Sequence, residues 1–262
     1  MQEIIITTVV IGVIGLIIGI ALVAAGKKFY VAVDEKAIAV RECLPGNNCG
    51  ACGYAGCDAV AAAIAAGDAP VNACPVCSAD AVAKIGGVMG VEAEAAERKT
   101  AQVKCSGDCE HTSAKCNYVG IEDCRAAALA GLNTGSCTFG CLGYGSCVKA
   151  CTYDAIHVVN GVAKVDTSKC VGCGMCAKAC PKGLIEVLRA DRTFVVQCSN
   201  KDRGPAVKKV CSAGCLGCGA CVKQCEHDAI HVEGNLAYID YDKCVGCGKC
   251  AEKCPAKNIV RQ

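Results

Sequence analysis

Cysteine spacing constrains this chain more than any other feature. Cys170-x2-Cys173-x2-Cys176-x3-Cys180-Pro181 and Cys244-x2-Cys247-x2-Cys250-x3-Cys254-Pro255 both match the run with which bacterial ferredoxins hold [4Fe–4S] clusters. Three thiolates on one tight loop can reach three irons of a cube. The fourth iron faces away, so its ligand comes from distant chain. Gly172, Gly174, Gly246 and Gly248 let each loop wrap closely. The chain has 28 cysteines but no tryptophan and only three phenylalanines, so large aromatic side chains do not build its core. Units below roughly 70–80 residues usually need a metal or disulfides, and cysteine is the only abundant candidate here.

The cysteines repeat. Cys124, Cys137, Cys141, Cys147, Cys151, Cys170, Cys173, Cys176 and Cys180 recur 74 positions on, from Cys198 to Cys254. DAIHVVNGVAKVD pairs with DAIHVEGNLAYID, and the register predicts that Cys124 and Cys198 occupy equivalent places. In the second copy, Cys215, Cys218 and Cys221 take Cys254, while Cys244, Cys247 and Cys250 take Cys225. Cys211 is left over. In each copy, two apolar segments read as a hairpin: Ile156–Val158 with Val162–Val165, and Ile230–Val232 with Leu236–Ile239. The first copy carries Tyr144 where the second has Cys218. Cys137 is the nearest unused thiol, which predicts the set Cys137, Cys141, Cys147 and Cys180. The alternative is a three-iron or absent cluster. Cys151 joins Cys170, Cys173 and Cys176. Thr152 and Glu226 stand where ferredoxins often carry proline.

A separate set lies upstream. Cys49, Cys52 and Cys57 are followed by Asp58, an alanine-rich run, Gly67 and Pro70, which predicts one short helix with Asp58 at its N-cap. That helix returns Cys74 to the loop, completing a four-thiol cluster site. Cys43 and Cys77 are extra. Cys105, Cys109, Cys116 and Cys124 form a further group with His111 among them. A sixth cluster, a Cys3His zinc site and spare linker thiols all remain open for it. Five [4Fe–4S] clusters are therefore expected, and six if this group binds one. Glu122 to Leu132 reads as a short helix.

Ile4 to Ala25 is uncharged and would make a helix roughly 33 Å long, against a hydrocarbon core of about 30 Å. Lys27 and Lys28 follow it. The expectation is a single-pass anchor in the cytoplasmic membrane with the remaining chain on the cytoplasmic side, a cleaved signal being the alternative. That side is reducing, which argues against 28 cysteines in structural disulfides.

The expected fold class is α+β: an N-terminal transmembrane helix, a small Fe–S domain, then two tandem bacterial two-cluster ferredoxin-like domains. The boundaries read as anchor 1–28, N-terminal cluster domain 29–90, cysteine-containing linker 91–133, and ferredoxin-like domains 134–190 and 191–262. This order resembles the RnfB family, the B subunits of Rnf electron-transport complexes, in the longer form with a duplicated ferredoxin unit. The resemblance rests on the apolar N-terminus, the Cys49/Cys52/Cys57/Cys74 set and the Cys137–Cys180 unit, and covers nearly the whole chain. It implies an electron-transfer subunit of a ferredoxin:NAD+ oxidoreductase coupled to Na+ or H+ movement. Reduced ferredoxin would be the donor and other membrane subunits the acceptor. Relay to a redox-sensing regulator and a zinc-binding assembly scaffold are the alternatives. Nothing in the sequence resembles a flavin or NAD fold, so the chain alone has no catalytic residues for hydride transfer and no complete active site. Gly86 to Gly90 lacks the strand and acidic residue of a dinucleotide site. A net charge of +2 says little about partners, and no basic patch interleaved with aromatics points to nucleic acid, so no nucleic-acid partner is expected.

Overall fold

A computed structural model describes residues 2–28, 34–92, 97–131 and 134–261. The expected helix end at Leu132 lies outside them. The first helix, α1, runs Gln2–Lys28. It does not carry the expected span: among the described residues no helix is long and apolar enough to cross a membrane.

Three helices form the next domain: α2 (Glu35–Cys43), α3 (Cys57–Ala66) and α4 (Ala79–Met89). Val40, Val60, Ile64 and Ile85 are fully buried between them. The N-cap of α3 is Gly56, with Asp58 inside the first turn, so the carboxylate faces the positive end of the helix without capping it. Gly67 closes the helix in the left-handed conformation.

Two ferredoxin-like units follow. The first contains β1 (Lys99–Val103), α5 (Cys124–Leu129), α6 (Ser146–Lys149), β2 (Ile156–Val159), β3 (Val162–Val165), α7 (Met175–Ala179) and β4 (Ile185–Arg189). The second contains β5 (Phe194–Val196), α8 (Gly204–Val210), α9 (Ala220–Lys223), β6 (Ile230–Glu233), β7 (Leu236–Ile239), α10 (Lys249–Glu252) and β8 (Ile259–Arg261). Each inner hairpin turns on two residues with positive φ, Asn160-Gly161 and Gly234-Asn235, the chemistry of a tight two-residue turn. Ile156 and Ile230 sit buried at equivalent places beneath the hairpins.

The outer strands correct the register of the duplication. Strand β1, within the segment read as linker, pairs with β4, and β5 pairs with β8. Val103 stands opposite Ile185, and Val196 opposite Ile259. Ile185 and Ile259 are 74 positions apart, so Val103 and Val196 are equivalent. Two residues later, Cys105 therefore takes the place of Cys198. The expected pairing of Cys124 with Cys198 is overturned. Nineteen extra residues lie upstream of Cys137 in the first unit, and Cys124 belongs to that insertion. A strand ladder fixes residue equivalence more firmly than cysteine spacing, because a slip would turn buried side chains outward.

Candidate iron–sulfur sites

The inner site of each unit is a cavity walled by four cysteines. Cys151, Cys170, Cys173 and Cys176 line a space of about 340 Å³. Cys225, Cys244, Cys247 and Cys250 line its equivalent, about 380 Å³. Backbone amides point at the sulfurs: Ala101 N donates to Cys170 Sγ at 3.3 Å, Ala155 N to Cys151 at 3.5 Å, and Ala229 N to Cys225 at 3.3 Å. Glycines make the close wrapping possible. A Cβ on Gly172, at φ +67°, would stand 2.5 Å from the Lys99 carbonyl oxygen. The four thiols of each inner site line a walled space. Sulfur donors, N–H···S bonds and a walled cavity fit a cluster.

In the second unit's outer set, Cys215 and Cys254 lie close enough to Cys221 for their charges to raise its thiol after burial has done so, up to about 11. Cys218 of this set is exposed. In the first unit, Cys141, Cys147 and Cys180 are likewise gathered. Burial pushes Cys147 up to about 12, with Cys141, Cys124 and Cys180 adding to the rise. Cys124 and Cys180 also act on Cys141. The thiol brought in beside this set is thus Cys124. It begins α5, whose N-cap Asp123 accepts from the amides of Arg125 and Ala126. Ser146 locks it in place: its Oγ accepts from Cys124 N at 2.7 Å and donates to Asp123 Oδ2 at 2.7 Å. Tyr144 stacks obliquely on Tyr118, ring centroids 5.3 Å apart, beside Cys124, Ala127 and Leu142. Free thiols held this high would be mostly protonated at neutral pH. Iron reverses that, because its charge stabilises the thiolate.

In the N-terminal domain, Cys57 and Cys74 are buried, with Cys43, Cys52 and Cys77 packed against the same core. Asn48 Oδ1 accepts from Cys57 N at 2.8 Å, holding the loop closed at the start of α3. A hydrogen bond from Cys77 holds the Cys74 thiol low, at about 6, and raises Cys77. This domain meets the first ferredoxin unit at Tyr153, whose hydroxyl accepts from Asn47 Nδ2 at 2.6 Å. Tyr153 also lines the inner cavity, and Cys49 lies within electrostatic reach of both Tyr153 and Cys173.

The 44–76 segment matches the family model described as a putative Fe-S cluster, 163–186 a 4Fe-4S binding domain, and 214–258 a 4Fe-4S dicluster domain. The B subunit of the Na+-translocating ferredoxin:NAD+ oxidoreductase complex of Acetobacterium woodii is 45% identical over 89% of this chain and 71% of its own length. The B subunit of the proton-translocating ferredoxin:NAD+ oxidoreductase complex of Clostridium ljungdahlii is 41% identical, over 92% and 85%. Its counterpart in the ion-translocating oxidoreductase complex of Methanosarcina acetivorans is 39% identical over 94% of each chain. The chain belongs to the RnfB family of ion-translocating oxidoreductase complexes. It is an iron–sulfur electron-transfer subunit.

In this member of the family, the group Cys105, Cys109, Cys116 and Cys124 is dispersed. Cys124 lies within electrostatic reach of Cys141 and Cys147, while Cys109 and Cys116 are exposed. His111 Nδ1 lies 2.6 Å from Asp108 Oδ1. Cys105 instead lines a cavity between the two units with Cys137, Cys198 and Cys211. Sequence spacing concealed this arrangement because the insertion displaced Cys105. The signal was present as Val103-Lys104-Cys105-Ser106 against Val196-Gln197-Cys198-Ser199.

Proposed function

We propose that this chain is the electron relay of a ferredoxin:NAD+ oxidoreductase complex coupled to Na+ or H+ movement, accepting electrons from reduced ferredoxin and passing them to other subunits. The relatives' names supply ferredoxin, NAD+ and ion translocation, and an ion-translocating complex works in a membrane. Free cysteines in this number suit the reducing, cytoplasmic side, where soluble ferredoxin is met. The ligand sets are Cys49, Cys52, Cys57 and Cys74; Cys151, Cys170, Cys173 and Cys176; Cys124, Cys141, Cys147 and Cys180; Cys215, Cys218, Cys221 and Cys254; and Cys225, Cys244, Cys247 and Cys250. Each bound cluster supplies reversible one-electron storage without proton or group transfer. The residues around it exclude water, hold the thiolates and donate N–H groups to sulfur.

The observation that carries the reading is contiguity. Asn47 and Tyr153 join the N-terminal set to the first unit, and both units' outer sets abut one junction. The test mixes anaerobically purified, cluster-loaded chain with reduced ferredoxin and follows bleaching of the visible cluster absorption. Rapid bleaching by ferredoxin, without bleaching by NADH alone, is expected. A loaded chain that dithionite reduces but ferredoxin does not would sink the proposed donor. Stoichiometric zinc in place of iron would leave only an assembly role.

A further inference from the structure

Outside the five sets above, Cys105, Cys137, Cys198 and Cys211 meet. They line one cavity between the ferredoxin units, holding about 450 Å³ of unfilled space, comparable to the 340 and 380 Å³ at the inner sites. A Cβ on Gly107 would stand 3.4 Å from Cys211 Sγ and 3.7 Å from Cys105 Sγ, so one small group could touch both sulfurs. The buried Asn200 spans the other two. Its backbone N donates to Cys198 Sγ at 3.5 Å and its Nδ2 to Cys137 Sγ at 3.4 Å.

The site is symmetric in a way that chance packing of spare thiols does not explain. Cys105 is equivalent to Cys198, and Cys137 to Cys211, so each unit gives the same two residues. The flanking contacts are reciprocal. Ser106 Oγ donates to Gln197 Oε1 at 2.7 Å, and Ser199 Oγ to the Lys104 carbonyl at 3.0 Å, each joining a serine of one unit to the equivalent position in the other. Cys141 N donates to Cys105 Sγ at 3.5 Å, and Cys215 N to Cys198 Sγ at 3.3 Å. Cys141 and Cys215 each belong to the outer set of their own unit. A sulfur of the junction is therefore one N–H···S bond from a ligand of the neighbouring set on both sides.

We infer that Cys105, Cys137, Cys198 and Cys211 bind a further [4Fe–4S] cluster, held jointly by the two ferredoxin units and linking their outer clusters. The linking role rests on the electron-relay reading; the site itself rests on the four thiols. One electron enters from the reduced cluster of one unit and leaves to the oxidised cluster of the other, and no bond is made or broken.

The test is iron, acid-labile sulfide and zinc per full chain, purified and loaded anaerobically, for the natural protein and for Cys198→Ser/Cys211→Ser. About 24 irons are expected, four for each of six clusters, falling to about 20 in the double variant. About 20 irons in both proteins, or about 20 irons with one zinc lost in the variant, would overturn the site. Asn200→Asp guards against misfolding of the double variant. It removes the Nδ2 donor while keeping the Oδ1 that accepts from Asp202 N. One cluster of the set should shift to lower potential in an EPR-monitored redox titration, since fewer N–H donors and a nearby charge both disfavour the extra electron. A titration unchanged at every cluster counts against the site. These readouts use dithionite, so a failure of ferredoxin as donor leaves them standing.

Discussion

Replacing Cys124 by alanine tests how the first unit compensates for Tyr144. If Cys124 completes the set of Cys141, Cys147 and Cys180, its loss leaves one iron without a thiolate. The chain should then lose one iron, leaving a three-iron cluster, or all four. The structural cost of the change itself is small. The bond from Cys124 N to Ser146 Oγ is a backbone one and survives, and α5 keeps its Asp123 cap. The iron loss therefore reports a ligand and not unfolding. The rescue is specific. Tyr144 holds the position of Cys218, so Cys124→Ala/Tyr144→Cys should recover the iron. Removing the Tyr144 ring forfeits its tilted contact with Tyr118, worth about 0.5–1.5 kcal/mol beyond burial, which the fold should survive. Low-temperature EPR of the oxidised protein reads the outcome directly: a three-iron signal in the single variant, absent from the natural chain and the rescue. Cys137→Ala should leave this cluster intact and deplete the junction instead. The reasoning is refuted if Cys124→Ala keeps its full iron content while Cys137→Ala yields the three-iron signal.

Other consequences can be measured separately. Gly172→Ala drives a Cβ onto the Lys99 carbonyl at a positive φ; it should cost about 1–3 kcal/mol in urea unfolding and strip iron from the inner set of the first unit. Ile230→Ala empties a fully buried site beneath the second hairpin and should cost about 2–5 kcal/mol, with Ile156→Ala matching it in the first unit. Tyr241, raised to about 12 chiefly by burial, stays protonated when the unfolded chain's tyrosines ionise near 10. The folded state then binds the extra proton, so this contribution is intact below about pH 10 and lost as pH rises toward about 12; Tyr241→Phe should flatten that fall in urea midpoints. Removing iron with a chelator should abolish the circular-dichroism signature of both ferredoxin units, because their cores are built around cysteines rather than aromatics.

Sequence by itself determined the chemistry and much of the local structure. The spacing from Cys170 to Cys180 and from Cys244 to Cys254 specified cluster loops, and the Asn160-Gly161 and Gly234-Asn235 turns specified the hairpins, since tight loops and turns depend on neighbours along the chain. Tertiary structure decided which distant thiols meet. The fold brings Cys124 within electrostatic reach of Cys141 and Cys147, where Ser146 and Asp123 hold it through contacts more than twenty positions apart in sequence. The pairing of Cys105 with Cys198 became visible only through the β1–β4 and β5–β8 ladders. A hydrogen-bonded register measures position in space, whereas a count of residues between cysteines measures only position along the chain, and the insertion separated the two.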